Sequence, residues 1–413
     1  MLSAEPSAGV PADALGRLVR RARRLADDAE TTGAGLRATS SAKVSRRLGG
    51  EVLWVAGAGA AGGDSDVHAG SGSGRAGALI GLRLSRIHAA LGDGELDDEP
   101  HVASLAGCCV VASAGLCPPE ALLHAVVPAT HVDVAQPDAV MALCLAADGA
   151  RLAHACFGGS AAWISYEAGG ALLARELGRA ATEPGVRMAL LARRGLVTWG
   201  ETEEACAAAT QAASRRARAF LAARAPGPRC GGRALAPLDR RERTRLLTWL
   251  SPVLRSALGS RRPKVVEHDS SPAVLEFISS PDAPLLAAAG PACPQQVVHT
   301  QRAPLWIDVD ARRDDAGDIA ERIVRGARRH RACVRFEAAT FGGGDAPLDP
   351  DARVVLIEGL GLLAAGPTRR DARRALLAYR HAIEAIGGAA SLDRFVPPST
   401  AECGAFERAL RGV

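Results

Sequence analysis

The ten cysteines of this chain include no C-x-x-C spacing. That absence removes a paired-cysteine metal ligand set, a dithiol redox motif and the compact disulfide framework of small secreted domains. The cysteines read instead as small apolar residues in a reducing compartment. No run of about eighteen apolar residues occurs, so a membrane-spanning helix is not expected. The start, MLSAEPSAGVPADALGRLVRRARR, carries no apolar stretch behind a basic one, and the expectation is a soluble, cytoplasmic protein with no membrane partner. Charge of one sign is lacking too: Lys and Arg number 50 against 45 for Asp and Glu, a formal +5 spread along the chain. Nucleic acid is therefore not an expected partner. Even Arg20, Arg21, Arg23 and Arg24 fall on a helix candidate (12–30) with Asp27 and Asp28 four residues beyond the last two, which reads as a solvated helix face. Glycine-rich stretches at 49–63 and 70–77 contain neither G-x-x-x-x-G-K-[ST] nor a helix-opening G-x-G-x-x-G, and they read as loop and linker.

What the sequence does have is core material: 48% of its 413 residues are hydrophobic, enough for one large core or two to three ordinary ones. Helical spacing predicts helices over 79–101, 120–127, 171–181 and 203–225, the second stopped by Pro128. RMALLARRGLVTWG (187–200) reads as strand, turn and strand. Strands alternating with helices predict an α/β fold. RAPGPRCGGRALAP (224–237) is the clearest boundary, and after it KVVEHD, APLWIDVD, CVRFEAATF and RVVLIEGLGLLAAG read as strands of a second α/β unit. PGVRMALLARRGLVTWGET (184–202) aligns without a gap onto PDARVVLIEGLGLLAAGPT (350–368), an offset of 350 − 184 = 166. Arg187/Arg353, Gly195/Gly361, Gly200/Gly366 and Thr202/Thr368 coincide. Matched glycines are harder to obtain by chance than matched apolar residues, so a divergent duplication is expected.

HVDVAQPDAV (131–140) places His131, Asp133 and Asp138 just before an apolar run, as in a cation site. Its middle, Val134, Ala135 and Gln136, offers no good zinc ligand. The wider segments PEALLHAVVPATHVDVAQPDAV (119–140) and LLARRGLVTWGETEEA (190–205) resemble the class II aldolase/adducin family, and within it the aldolase portion of rhamnulose-1-phosphate aldolase/short-chain dehydrogenase fusions. The likeness runs from about Ala38 nearly to the C-terminus, taking in KVVEHDSSPAVLEFISS and RVVLIEGLGLLAAGPTRRDARRALLAY, and is to the aldolase portion alone. It implies a layered α/β/α class II aldolase-like domain over 1–225 with a second, related α/β unit over 237–413.

In active members of that family a divalent metal, usually zinc, sits on an H-x-H pair after V-D and on a His before Gly. It polarises the carbonyl and stabilises the enediolate as the carbon–carbon bond breaks. Carried onto this sequence, the H-x-H positions fall on Val134 and Gln136, and the His before Gly falls on Arg194, next to Gly195. A guanidinium cannot be deprotonated and repels a cation, so the resemblance implies no metal and no other cofactor. Glu120 matches the family's acid/base carboxylate and is the catalytic candidate. The phosphate-cradling segment falls on ATSSAK (38–43), where Ser41 and Lys43 survive, and these two with Arg194 and Gln136 are the substrate-binding candidates. A Glu120–Arg194 ion pair is expected where the metal would have been, because a buried carboxylate needs a partner.

Other tempting groups read more simply. His124, in ALLHAVV, is expected in the core rather than joining His101 and His131 on a metal. Cys108 and Cys109 would face opposite sides of a strand. Asp308 and Asp310 read as a solvent-facing pair, TFGGGDAP (340–347) as a loop, and His154 with Cys156 lacks a second partner. The leading expectation is thus a non-catalytic protein that binds a sugar phosphate or other anionic small molecule. The alternatives are a metal-independent lyase or isomerase using Glu120 as base and, behind it, a metal-dependent sugar-phosphate aldolase. Active relatives form oligomers, so self-association is a further expectation from the resemblance.

Overall fold

The computed structural model describes residues 17, 18, 20, 21, 43–48, 51–56, 79–92, 104–110, 120–166, 170–232, 238–309, 314–341 and 349–411. Within them the chain is α/β, with two mixed sheets. The first holds β1 (Lys43–Leu48), β2 (Val52–Ala56), β3 (Leu79–Arg83), β4 (His131–Ala135), β5 (Ala161–Ile164), β6 (Met188–Leu191) and β7 (Gly195–Gly200), in the order β3-β2-β1-β4-β7-β6-β5. The second holds β8 (Val265–Asp269), β9 (Leu305–Ile307), β10 (Val354–Ile357) and β11 (Gly361–Gly366), in the order β8-β11-β10-β9. The Pro- and Gly-rich stretch 224–237 separates them along the chain.

Each sheet is covered on both faces, and the period-two pleat assigns the side chains. In the first, Val132, Val134, Ala189, Leu191 and Val197 meet Leu122 and Leu123 of α2 (Ala121–Val126) and Leu173 and Leu177 of α5 (Gly170–Ala181). α1 (Leu84–Gly92) adds Ile87 to the same core. The intervening Leu190 and Leu196 face α3 (Asp138–Leu145), α4 (Gly149–Phe157) and α6 (Glu203–Arg224) on the other side. In the second sheet, Val354, Leu356, Leu362 and Ala364 pack beneath α8 (Pro272–Ile278), α9 (Ala283–Ala289) and α12 (Arg369–Leu392). Their neighbours Val355, Ile357, Leu363 and Ala365 face α7 (Arg240–Leu258) and α11 (Ala316–Phe341). α10 (Val297–Thr300) and α13 (Thr400–Arg411) complete this half.

The 166-residue offset holds in three dimensions. Both aligned segments are antiparallel hairpins, Leu191 facing Gly195 in one and Ile357 facing Gly361 in the other. Positive φ recurs at matched positions, 59° at Arg193 and 69° at Gly359, then 127° at Gly195 and 143° at Gly361. Thr202 and Thr368 each cap the helix that follows, accepting from the backbone N–H three residues on. The correspondence extends further: β5 lies parallel to β6 with Trp163 opposite Leu190, and β9 lies parallel to β10 with Trp306 opposite Leu356. β4 pairs with β7 as β8 pairs with β11, His131 facing Gly200 and Val265 facing Gly366. Here the offset is 265 − 131 = 134, and it also relates the starts of α3 and α8 and of α4 and α9.

The halves share a packed boundary. Met141 and Leu145 of α3 belong to the second sheet's core. α12 approaches α3 so closely that a Cβ on Gly388 would stand 2.7 Å from the Ala142 side chain. Backbone bonds cross there, Ala147 N–H donating to the Arg394 carbonyl (2.9 Å) and Val396 N–H to that of Leu145 (2.8 Å).

Two segments differ from their sequence reading. CVRFEAATF is the end of helix α11, not a strand, because the buried stripe Ile319, Ile323, Ala327 and Ala338 has helical spacing. The helix expected from residue 79 begins at Leu84; Leu79–Arg83 is strand β3, burying Ile80 and Leu82 against β2. Among the described residues no helix is long and apolar enough to cross a membrane.

Candidate functional site

The end of β4 and the β6–β7 turn meet because Gly195 lacks a side chain: a Cβ there would lie 2.5 Å from the Ala135 carbonyl oxygen. Gln136 then follows β4 directly beside the turn. Its amide N–H donates to the Arg194 carbonyl at 2.8 Å, and its oxygen accepts from the Cys293 thiol at 3.7 Å. The Cys144 thiol donates to the Gly195 carbonyl at 3.7 Å. Burial pushes Cys293 up to about 11 and Cys144 up to about 12, so both are protonated donors rather than nucleophiles at neutral pH.

Three further side chains complete the surroundings of the turn. The Arg193 guanidinium sits 4.0 Å from the Tyr166 ring centre and 3.2 Å from the Glu402 carboxylate. The Arg194 guanidinium is 5.6 Å from the same ring centre, and its buried Nε has no hydrogen-bond acceptor among the described residues. Burial raises the Tyr166 phenol above its ordinary range, with Arg194 and Arg193 pulling it partly back. Tyr166 follows β5, whereas Cys293 and Glu402 come from the second half of the chain. The neighbourhood is therefore built by both halves, with two guanidiniums beside one aromatic ring and one of them paired to a carboxylate.

The structure brings Gln136 and Arg194 together. Glu120 is half-buried at the start of α2, its backbone carbonyl accepting from Leu123 N–H at 3.0 Å. The expected Glu120–Arg194 ion pair is not among those the described residues form. The Arg194 side chain is instead beside Tyr166, and its carbonyl is committed to Gln136. Val134 is buried in β4 between Val197 of β7 and Lys43 of β1. Lys43 thus stands next to the turn's supporting strand, while Ser41 lies outside the described residues.

The polar groups of HVDVAQPDAV have another use. Arg21, 4% exposed, donates to Asp133 at 2.5 Å and lies 2.9 Å from His131 Nδ1, and Thr210 donates to Asp133 at 3.1 Å. Burial alone would pull the Arg21 guanidinium down; the Asp133 carboxylate and the Cys206 thiol together more than offset it, and the net shift is upward. Arg21 is three residues past the buried Leu18. That helical spacing was the signal, masked by the surrounding arginines. Tyr166, Cys293 and Glu402 carried no such signal.

His124 is fully buried in the first core, and His101 lies outside the described residues. Cys156 is buried and pushed up to about 11 while His154 is exposed, so they share no site. Cys108 ends a 3-10 turn rather than a strand, and Cys109 bridges Leu82. Asp308 is exposed beside Arg322; Asp310 and residues 342–348 lie outside the described residues. Among the described residues no three His, Cys, Asp or Glu side chains converge to hold a metal.

Residues 245–407 match the family described as aldolase class II, second domain. A curated relative, an uncharacterized oxidoreductase YuxG of Bacillus subtilis (strain 168), is 31% identical over 349 residues, covering 84% of this chain and 49% of its own length. This chain therefore spans about half of that relative. Among solved structures, the N-terminal class II aldolase domain of a conserved protein from Thermoplasma acidophilum is similar at 21% identity and a TM-score of 0.41, over 54% of this chain and 99% of that one. An L-fuculose 1-phosphate aldolase is similar at 13% identity and a TM-score of 0.35, over 57% and 95%.

Proposed function

Because residues 245–407 match the family described as aldolase class II, second domain, and the preceding segments resemble the class II aldolase/adducin family, we propose that the first unit of this chain binds an anionic small molecule, a sugar phosphate by class, without a metal and without cleaving it. The observation that carries this reading is the contrast between two adjacent arginines. Arg193 is neutralised by Glu402, whereas Arg194 has a buried Nε with no acceptor and no carboxylate ion pair among the described residues. A buried donor left unsatisfied costs roughly 1–3 kcal/mol, which an anion accepting from that guanidinium would recover.

The residues at the family's ligand positions do not fit a divalent metal. Val134 has no donor atom, the Gln136 amide is spent on Arg194 and Cys293, and Arg194 is itself a cation. Retro-aldol cleavage needs concentrated positive charge at the developing enediolate oxygen. A delocalised guanidinium held beside an aromatic ring supplies less. The oxidoreductase in the relative's name belongs to a protein of which this chain spans about half, and no redox activity is carried over.

Calorimetry with rhamnulose 1-phosphate is the test. Binding is expected without added metal and unchanged by a chelator, and Arg194→Met is expected to weaken it about tenfold or more, the loss of one charge-assisted bond. Stoichiometric Zn²⁺ in the purified protein, or chelator-sensitive release of dihydroxyacetone phosphate, overturns the reading.

A further inference from the structure

The second half has a cavity of about 460 Å³ that lies beside the start of β8, the end of β11 and the first turn of α12. Its charged lining is Arg261, Arg262, Lys264 and Arg353 against Asp349 and Asp371, a formal excess of 4 − 2 = +2, with His299 alongside. The two carboxylates are already engaged. Asp349 pairs with the buried Lys264 ammonium. Asp371 accepts from the Thr368 hydroxyl at 2.7 Å, while its own N–H is capped by that hydroxyl.

We propose that this cavity binds a small phosphorylated molecule, at a site separate from the Arg194 neighbourhood. The cations come from two distant chain segments, the stretch between α7 and β8 (Arg261, Arg262 and Lys264) and the residue before β10 (Arg353), with α10 closing the wall between them, so they surround a volume rather than line a helix face. Arg353 donates to the Val298 carbonyl from inside this wall. Burial pulls Arg353 below the ordinary guanidinium range despite Glu407 and Asp371, and Arg374 nearby is pulled down by burial and by Arg370. Burial also lowers His299 to about 4, with Arg374 and Arg353 adding to it, so the imidazole is a neutral donor or acceptor at pH 7. A dianion placed among these groups relieves their mutual repulsion and accepts from two or more guanidinium forks. The 24-residue helix α12 directs its positive N-terminal end to the same place. A cavity of this size is at the scale of small-molecule sites, typically about 300–1,000 Å³.

The repeat supplies an internal control. At the two offsets, Lys264 corresponds to Thr130 and Pro367 to Glu201, and in the first half Thr130 donates to Glu201 at 2.8 Å. Arg353 keeps its counterpart in Arg187, but where Lys264 stands here the first half has a neutral residue bonded to a carboxylate. The positive charge of Arg261, Arg262 and Lys264, which fall on Val127, Pro128 and Thr130 at the 134-residue offset, is thus a property of these side chains and not of the architecture.

Calorimetry of the full chain with pyrophosphate, at constant low ionic strength, tests the proposal. A saturable site that survives Arg194→Met is expected. Its affinity should fall about tenfold or more, the scale of one charge-assisted contact, in Arg261→Ser/Arg262→Ser and in Arg353→Met. It should be unchanged in Arg194→Met, so that failure of the first-unit reading leaves this result standing. Arg261 and Arg262 are exposed, so the rim pair decides the matter if Arg353→Met does not fold. Absence of saturable binding, binding indifferent to the rim pair, or binding lost in Arg194→Met overturns the proposal.

Discussion

Removing the Arg21 guanidinium should unfold more of this protein than any change at its exposed arginines. In Arg21→Met the chain keeps its length and apolar bulk, but Asp133, whose side chain is 0% exposed, keeps only neutral partners, the Thr210 hydroxyl and the Cys206 thiol. Breaking a buried ion pair from one side typically costs about 3–5 kcal/mol, because the remaining charge has left water without compensation. Arg21 also reaches His131 Nδ1, so its fork spans two groups of one strand. Lysine, with a single point of charge, cannot hold both, and Arg21→Lys should fall between wild type and Arg21→Met. The double change Arg21→Met/Asp133→Leu should recover part of the loss by removing the stranded carboxylate. Urea unfolding followed by circular dichroism reads all four proteins. A cost below about 1 kcal/mol for Arg21→Met, the scale of an exposed pair, would refute the buried cluster.

Gly195→Ala and Gly361→Ala should each destabilise, by about 1–3 kcal/mol for the left-handed backbone, because each Cβ would also meet a carbonyl oxygen at 2.5 Å. Thermal melts showing one harmless and one severe would break the equivalence of the two hairpins. Gly388→Val should cost about 1–3 kcal/mol by forcing α12 off Ala142, read by the same melts. His299 and His330 are each lowered by burial from 6.5 to about 4. Their neutral-form stability is present above pH 6.5 and lost as pH falls towards about 4, up to about 3 kcal/mol each. Melting temperature should therefore drop across that window, and less steeply in His330→Gln, which can still donate to Gln301. Val134→His/Gln136→His/Arg194→His should bind Zn²⁺ by atomic absorption; a folded triple variant without zinc would mean that these positions do not converge.

Much of the fold was legible one segment at a time, because its causes are local. The paired hairpins showed in the 166-residue offset and in Gly195 and Gly361, where positive φ demands glycine. Helices 171–181 and 203–225 showed in their spacing and lie at Gly170–Ala181 and Glu203–Arg224. The proximity of Gln136 to Arg194 followed from motif positions around that turn. What sequence could not supply was the identity of neighbours across the chain. CVRFEAATF alternates like a strand, and only the buried stripe of α11 makes it helix. Arg21 looked solvated among four arginines until Asp133 and His131, more than a hundred residues away, closed over it. Glu120 was paired with Arg194 from family motif positions and opposite charge, yet Tyr166 lies beside that guanidinium, and Glu402 neutralises its neighbour Arg193. The basic cavity likewise joins Arg261, His299 and Arg353, which no spacing relates. Backbone propensity and side-chain period act over a few residues, and chain sequence states them directly. Ion pairing, burial and cavity lining depend on which distant segments share a volume, and only packing decides that.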